Sequence, residues 1–137
     1  MDNSKFLIYS GMSSVGRIRT NNEDAFYVDS IWDENNILAI VADGLGGCEK
    51  GEVASNLAVE TIVTYLKAYR NGDRLELLRQ AVIAANNAII EKQKELPDAS
   101  KRSTVITVSI LDTVAHLVYM AHVGDTRLYQ FTHDEGL

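Results

Sequence analysis

The sequence predicts an α+β fold, on three observations. A continuous apolar run, Ile37–Ala42, ends abruptly in Asp43-Gly44-Leu45-Gly46-Gly47; two long stretches of helical periodicity follow; period-two, β-branched segments then close the chain. Strands and helices are segregated, with none of the βαβ alternation that marks a parallel sheet.

Lys5–Tyr9 reads as a first strand, and Gly11–Asn22 as a polar loop carrying Arg17 and Arg19. Ala25–Val28 reads as a short second strand. Asp33-Glu34-Asn35-Asn36 has the residue types of a turn. The unbroken apolarity of Ile37–Ala42 predicts a strand buried on both faces. In the first helix Ala54, Leu57, Ala58, Thr61, Ile62, Tyr65, Leu66 and Tyr69 share a face, so Tyr65 and Tyr69 read as core. Gly72 suits a left-handed C-terminal cap. Asp73 is placed to cap the second helix, with Glu76 three residues on completing a capping box. Leu75, Leu78, Val82, Ala85, Ile89 and Gln93 line one side of that helix. The short link makes the two helices antiparallel neighbours. Thr104–Leu111 and His116–Val123 then predict a hairpin, and Arg127–Phe131 a third strand after the Gly124-Asp125 turn.

The 137 residues suit one domain, 1–137, and show no repeat or linker. Hydrophobic residues make up 46% and charged residues 23%, a globular balance. A net charge of −6 argues against nucleic acid or an anionic membrane as the main partner, since both need clustered Lys and Arg. Cys48 is the single cysteine, which excludes an intrachain disulfide and a thiolate zinc cluster. No signal-peptide core and no apolar run of ~20 residues is present, so a soluble cytoplasmic protein is expected.

Three segments could carry chemistry. Asp43, at the end of a buried strand and followed by glycines, is a rigidly held carboxylate beside open backbone, which suits a hard divalent cation; the same residues also serve a plain strand-to-helix turn. Arg19-Thr20-Asn21-Asn22-Glu23-Asp24 sets a guanidinium four residues before two adjacent carboxylates. On an extended chain Glu23 and Asp24 point to opposite faces, so one can ligate while the other supports it from behind. Arg19 can grip a phosphate with two parallel hydrogen bonds. A solvated polar turn is the alternative. Ala121-His122-Val123-Gly124-Asp125-Thr126-Arg127 ends a third apolar strand in Gly-Asp, offering Asp125 as another fixed carboxylate or as a simple turn residue.

Together these segments resemble the PPM (type 2C) metal-dependent serine/threonine protein phosphatases, most closely the bacterial members. The family shows Arg-x-x-Asn-Glu-Asp, then Asp-Gly-Met-Gly-Gly, Gly-Glu-x-Ala-Ser and Val-Gly-Asp-Ser-Arg. Here these are Arg19–Asp24, Asp43–Gly47, Gly51–Ser55 and Val123–Arg127, in the same order and register. The resemblance implies part of a four-layer α-β-β-α sandwich, antiparallel sheets flanked by antiparallel helix pairs. It also implies two Mn²⁺ or Mg²⁺ ions, three in some members, and hydrolysis of phosphoserine or phosphothreonine proteins by a water bridging the metals.

By position, Asp43 would bridge both ions, with the Gly44 carbonyl and Glu23 completing the second ion's site. Asp24 would act from the outer shell, Arg19 would hold the substrate phosphate, and Asp125 would help bind the third metal. Leu45 stands where animal members often carry a His proposed as general acid, and Arg102-Ser103-Thr104 replaces the usual Gly-Thr-Thr. Family domains continue with late Asp-Gly and Asp-Asn segments that supply two more metal carboxylates. The chain is therefore expected to be a truncated domain lacking the C-terminal strands and helices, with little or no activity by itself. Sheet edges left exposed would favour self-association. The expected partner is a phosphoprotein, targets of a protein kinase among them. A pseudophosphatase that binds a phosphoprotein or other partner without hydrolysing it is the alternative. His116 and His122, evenly spaced on one strand, His133 and Cys48 read as structural residues.

Overall fold

The computed structural model describes residues 7–45, 49–95 and 102–133. Four strands, β1 (Asp24–Ile31), β2 (Asp33–Leu45), β3 (Ser103–Asp112) and β4 (Leu117–Val123), form one antiparallel sheet in the order β1-β2-β3-β4. Helices α1 (Glu49–Ala68) and α2 (Arg74–Lys94) pack together, α1 over β1, β2 and β3, and α2 against β4. The expected α+β class holds. No described helix is long and apolar enough to cross a membrane.

The core lies between the helices and one face of the sheet. Leu38, Ile40 and Ala42 of β2 alternate into it and are joined by Ile106, Val108 and Ile110 of β3. Ala54, Ala58, Ile62 and Leu66 of α1 meet them with Leu78, Ala81 and Ala85 of α2. Each buried Leu or Ile contributes roughly 1.5–3 kcal/mol. Alanines on α1 let the helix backbone approach the sheet closely, which matters at its first turn below.

The other face of the sheet is open. Phe26, Val41, Val118 and Met120 are exposed there, Val41 by half. Ile37–Ala42 is therefore not buried throughout on both faces: Leu38, Ile40 and Ala42 lie in the core, while on the other face Ile37 is buried, Ala39 partly covered and Val41 half exposed.

Several elements differ from the sequence expectation. Lys5 and Phe6 lie outside the described residues, and Leu7–Tyr9 is irregular and exposed instead of forming a strand. Strand β1 runs well past Val28, because the turn falls at Trp32 (φ 69°) and not at Asp33–Asn36. Asp33 instead accepts from the Asn35 N–H and the Asn36 side chain at the start of β2. Trp32 is held there by its indole N–H to the Leu66 carbonyl and by Arg70 donating to its own carbonyl. Arg74 stacks on its ring at 4.8 Å.

Helix α1 stops at Ala68, so Gly72 (φ 118°) belongs to the interhelical turn and is not its immediate cap. Tyr69 and Leu75, at helix ends, are more than half exposed. Asp73 caps α2 through the Glu76 N–H at 3.1 Å, but the Glu76 carboxylate turns to Arg79 and Gln80, leaving the capping box half made. Arg127–Phe131 is irregular and exposed. His116 (φ 57°) sits in the β3–β4 turn, so it does not share a strand face with His122.

Candidate metal and phosphate site

Asp43 lies directly opposite Asp24 in the β1–β2 ladder and beside Val105 of β3. Opposed residues in an antiparallel pair share a face, here the open one, and both residues line one cavity. Burial, followed by the charge of Asp24 and the charge of Asp125, pushes the Asp43 carboxyl above its ordinary value. Arg19 opposes the shift. The three motifs, far apart in sequence, thus act on one carboxyl group.

Glu23 points the other way, toward α1. Its carbonyl accepts from the Gly44 N–H at 3.1 Å and from the Ser55 hydroxyl at 2.6 Å. Ser55 is fully buried. A Cβ on Gly44 would overlap the Gly51 carbonyl, and one on Gly51 would overlap the Glu23 carboxylate and crowd the Gly44 carbonyl carbon. Glycine at both positions lets the first turn of α1 seat against the end of β2, with the Glu23 side chain filling the gap.

In front of Asp43 is a polar cavity of about 270 Å³ lined by Ser14, Val15, Arg19, Asn21, Asn22, Glu23, Asp24 and Asp43. Asn22 organises its wall: its amide oxygen accepts from the Asp24 N–H at 3.1 Å, and its amide nitrogen donates to the Ser13 hydroxyl at 2.6 Å. The Gly16 N–H in turn donates to the Ser14 hydroxyl at 3.2 Å. Behind Asp43, the Thr104 hydroxyl donates to its backbone carbonyl at 2.9 Å.

Asp125 follows Gly124 (φ 104°) at the end of β4 and is exposed. Its turn is tied back to the sheet by Thr126, whose hydroxyl lies 2.6 Å from that of Thr107. Thr107 also meets His122 Nδ1 at 2.9 Å, which gives His122 a structural partner. His133 is exposed. Leu45 is half exposed and carries no proton to give. Gly46, Gly47 and Cys48 lie outside the described residues.

Ser14, Asn22, Ser55 and Thr107 are the site-building residues that sequence reading missed. Asn22 and Ser55 lie inside the quoted motifs, but nothing local shows that their side chains bond to Ser13 and Glu23.

The donors gathered here are all oxygens, the chemistry that Mn²⁺ and Mg²⁺ take. Two carboxyls and one guanidinium lining one cavity are an arrangement in which a divalent cation would offset the acidic charge, so the residues fit part of such a site. Among the described residues, no three His, Cys, Asp or Glu side chains converge as a complete metal cluster.

Known proteins share this pattern. The protein phosphatase 2C family profile matches residues 15–137. The serine/threonine protein phosphatase PstP of Mycobacterium tuberculosis is 34% identical over 123 residues, covering 90% of this chain and 22% of PstP. The serine/threonine phosphatase stp of Listeria monocytogenes is 34% identical over 118 residues, covering 83% of this chain and 46% of stp. A crystal structure of the M. tuberculosis enzyme superimposes with a TM-score of 0.68 at 33% identity, covering 80% of this chain and 43% of that one. A second, of the PstP catalytic domain in complex with two manganese ions, gives 0.64 at 32% identity, covering 80% and 44%. The chain spans less than half the length of these relatives.

Proposed function

The chain belongs to the protein phosphatase 2C family, and we propose that it forms the cation- and phosphate-binding wall of a protein serine/threonine phosphatase. The observation that carries this is the placing of Asp24 opposite Asp43 in a cavity that Arg19 also lines. Paired carboxylates and a guanidinium in one polar cavity can hold divalent cations and a phosphoryl group together.

In this reading Asp43 is the shared ligand of two Mn²⁺ or Mg²⁺ ions. The Gly44 carbonyl and Glu23 serve the second, and Asp125 serves a third. Asp24 supports Asp43 from the opposite strand. Arg19 orients the phosphate by paired hydrogen bonds. The cations, when bound, supply Lewis acidity toward the phosphoryl oxygens and acidify water. The substrate is a phosphoserine or phosphothreonine protein, a product of protein kinase action, in the cytoplasm.

Mn²⁺ and Mg²⁺ need several fixed oxygens. Residues 1–137 on their own are therefore expected to bind cations weakly and turn over little substrate, with further carboxylates completing the site in the working enzyme.

The deciding experiment is Mn²⁺-dependent hydrolysis of a phosphothreonine peptide by this chain, with Asp43→Asn as control. Turnover that the control abolishes supports the proposal, and full turnover would show that the site of residues 1–137 is complete. Phosphopeptide binding without turnover would favour the pseudophosphatase reading instead.

A further inference from the structure

We propose that Ser14 is a substrate-contacting residue whose hydroxyl donates a hydrogen bond to a phosphoryl oxygen of the bound phosphopeptide. This deepens, and rests on, the phosphatase reading above. The cavity before Asp43 is lined by Asp24 and Asp43, so a phosphorylated ligand entering it needs donors to offset that charge. Arg19 is the one cation lining the cavity. Ser14 is the one hydroxyl lining it, and its oxygen already accepts from the Gly16 N–H. The hydroxyl hydrogen is a separate donor that this bond does not use.

The hydroxyl is also held in place. Asn22 bonds the adjoining Ser13 at 2.6 Å while its other amide atom is fixed by the Asp24 N–H. The Ser13–Gly16 loop is thereby clamped to the start of β1, beside the carboxylate cluster. Ser14 is exposed, and a loop tied down in advance loses less entropy on binding.

The protein with Mn²⁺ is assayed on a phosphothreonine peptide, with inorganic phosphate as competing inhibitor. Ser14→Ala is expected to raise the peptide KM and the phosphate inhibition constant together, each roughly three- to tenfold, without lowering Tm. Ser14→Thr, which keeps the hydroxyl, should restore both. An unchanged KM and inhibition constant in Ser14→Ala would overturn the assignment. Should the wild type hydrolyse nothing, only the hydrolytic activity fails, and calorimetry with inorganic phosphate decides the contact. Weaker phosphate binding by Ser14→Ala than by wild type then supports it; equal binding, or none by either, overturns it.

Discussion

Asp43 and Asp24 stand directly opposite each other across the β1–β2 ladder, on the open face of the sheet. Burial and the nearby Asp24 charge raise the Asp43 carboxyl, so ionised Asp43 weakens the cation-free fold and strengthens its response to a divalent cation. Asp43→Asn should raise the Tm of the cation-free protein by roughly 2–5 °C and remove the Tm rise that Mn²⁺ gives the wild type. Thermal melts with and without Mn²⁺ check both. A variant that keeps the full Mn²⁺ shift would remove Asp43 from the ligand set.

The seating of α1 on β2 is the second point of strain. A Cβ on Gly44 would strike the Gly51 carbonyl, which is backbone and cannot rotate away. Overpacking of this kind costs about 1–3 kcal/mol, so Gly44→Ala should lower the denaturant midpoint clearly. Gly51→Ala would push on the Glu23 carboxylate and on the backbone of Gly44. It should destabilise the protein and also weaken Mn²⁺ binding measured by calorimetry. Wild-type stability in either variant would mean that the close approach is not rigid.

How far the sequence reaches is clearest where an element rests on its own periodicity. The helices and the β3–β4 hairpin were legible because their apolar spacing is local, and Asp43 stood out because an apolar strand ended in it. Lys5–Tyr9 and Arg127–Phe131 have the composition of strands, but a strand needs a paired neighbour, and composition does not name one. Trp32 took the β1–β2 turn because its indole and carbonyl are held by Leu66 and Arg70, more than thirty residues away. Likewise, the alternation of Glu23 and Asp24 could be read from an extended backbone. That Asp24 meets Asp43 depended on strand register, and the roles of Ser55 and Asn22 on partners distant in sequence.

Asp112 sets an acid limit on stability. It accepts from the Ala115 N–H at 2.9 Å and the Val114 N–H at 3.0 Å and pairs with Arg74 at 3.2 Å. The Ala115 bond first, then those of Val114 and Arg74, hold its carboxyl below the ordinary 3.8, against the opposing effect of burial. A depressed carboxyl stabilises the fold above its unfolded value and loses that contribution as pH falls from about 3.8 through the lower folded value. Urea midpoints should therefore drop between pH 5 and 2.5, and less steeply in Asp112→Asn. Asp112→Ala should cost about 1–3 kcal/mol at neutral pH. Identical pH profiles for wild type and Asp112→Asn would assign the acid transition to other carboxyls.

Ser55 separates the building of the site from the building of the fold. Its hydroxyl, fully buried, donates to the Glu23 carbonyl at 2.6 Å and also lies 3.1 Å from the Glu52 carbonyl of its own helix. In Ser55→Ala the Glu23 carbonyl keeps the Gly44 N–H but loses its tie to α1. The stability cost should be about 1–2 kcal/mol, since a small side chain is lost and one acceptor is only partly deprived. Cation binding should suffer further, because the Glu23 carboxylate is aimed by a backbone that α1 no longer fixes. Calorimetric Mn²⁺ titration of the folded variant at low temperature isolates this effect, and Ser55→Cys, a weaker donor, should fall between Ala and wild type. Were Mn²⁺ affinity to stay at wild-type level while stability fell, Ser55 would be a packing residue alone, and Glu23 would be oriented by Gly44 and Gly51 without it.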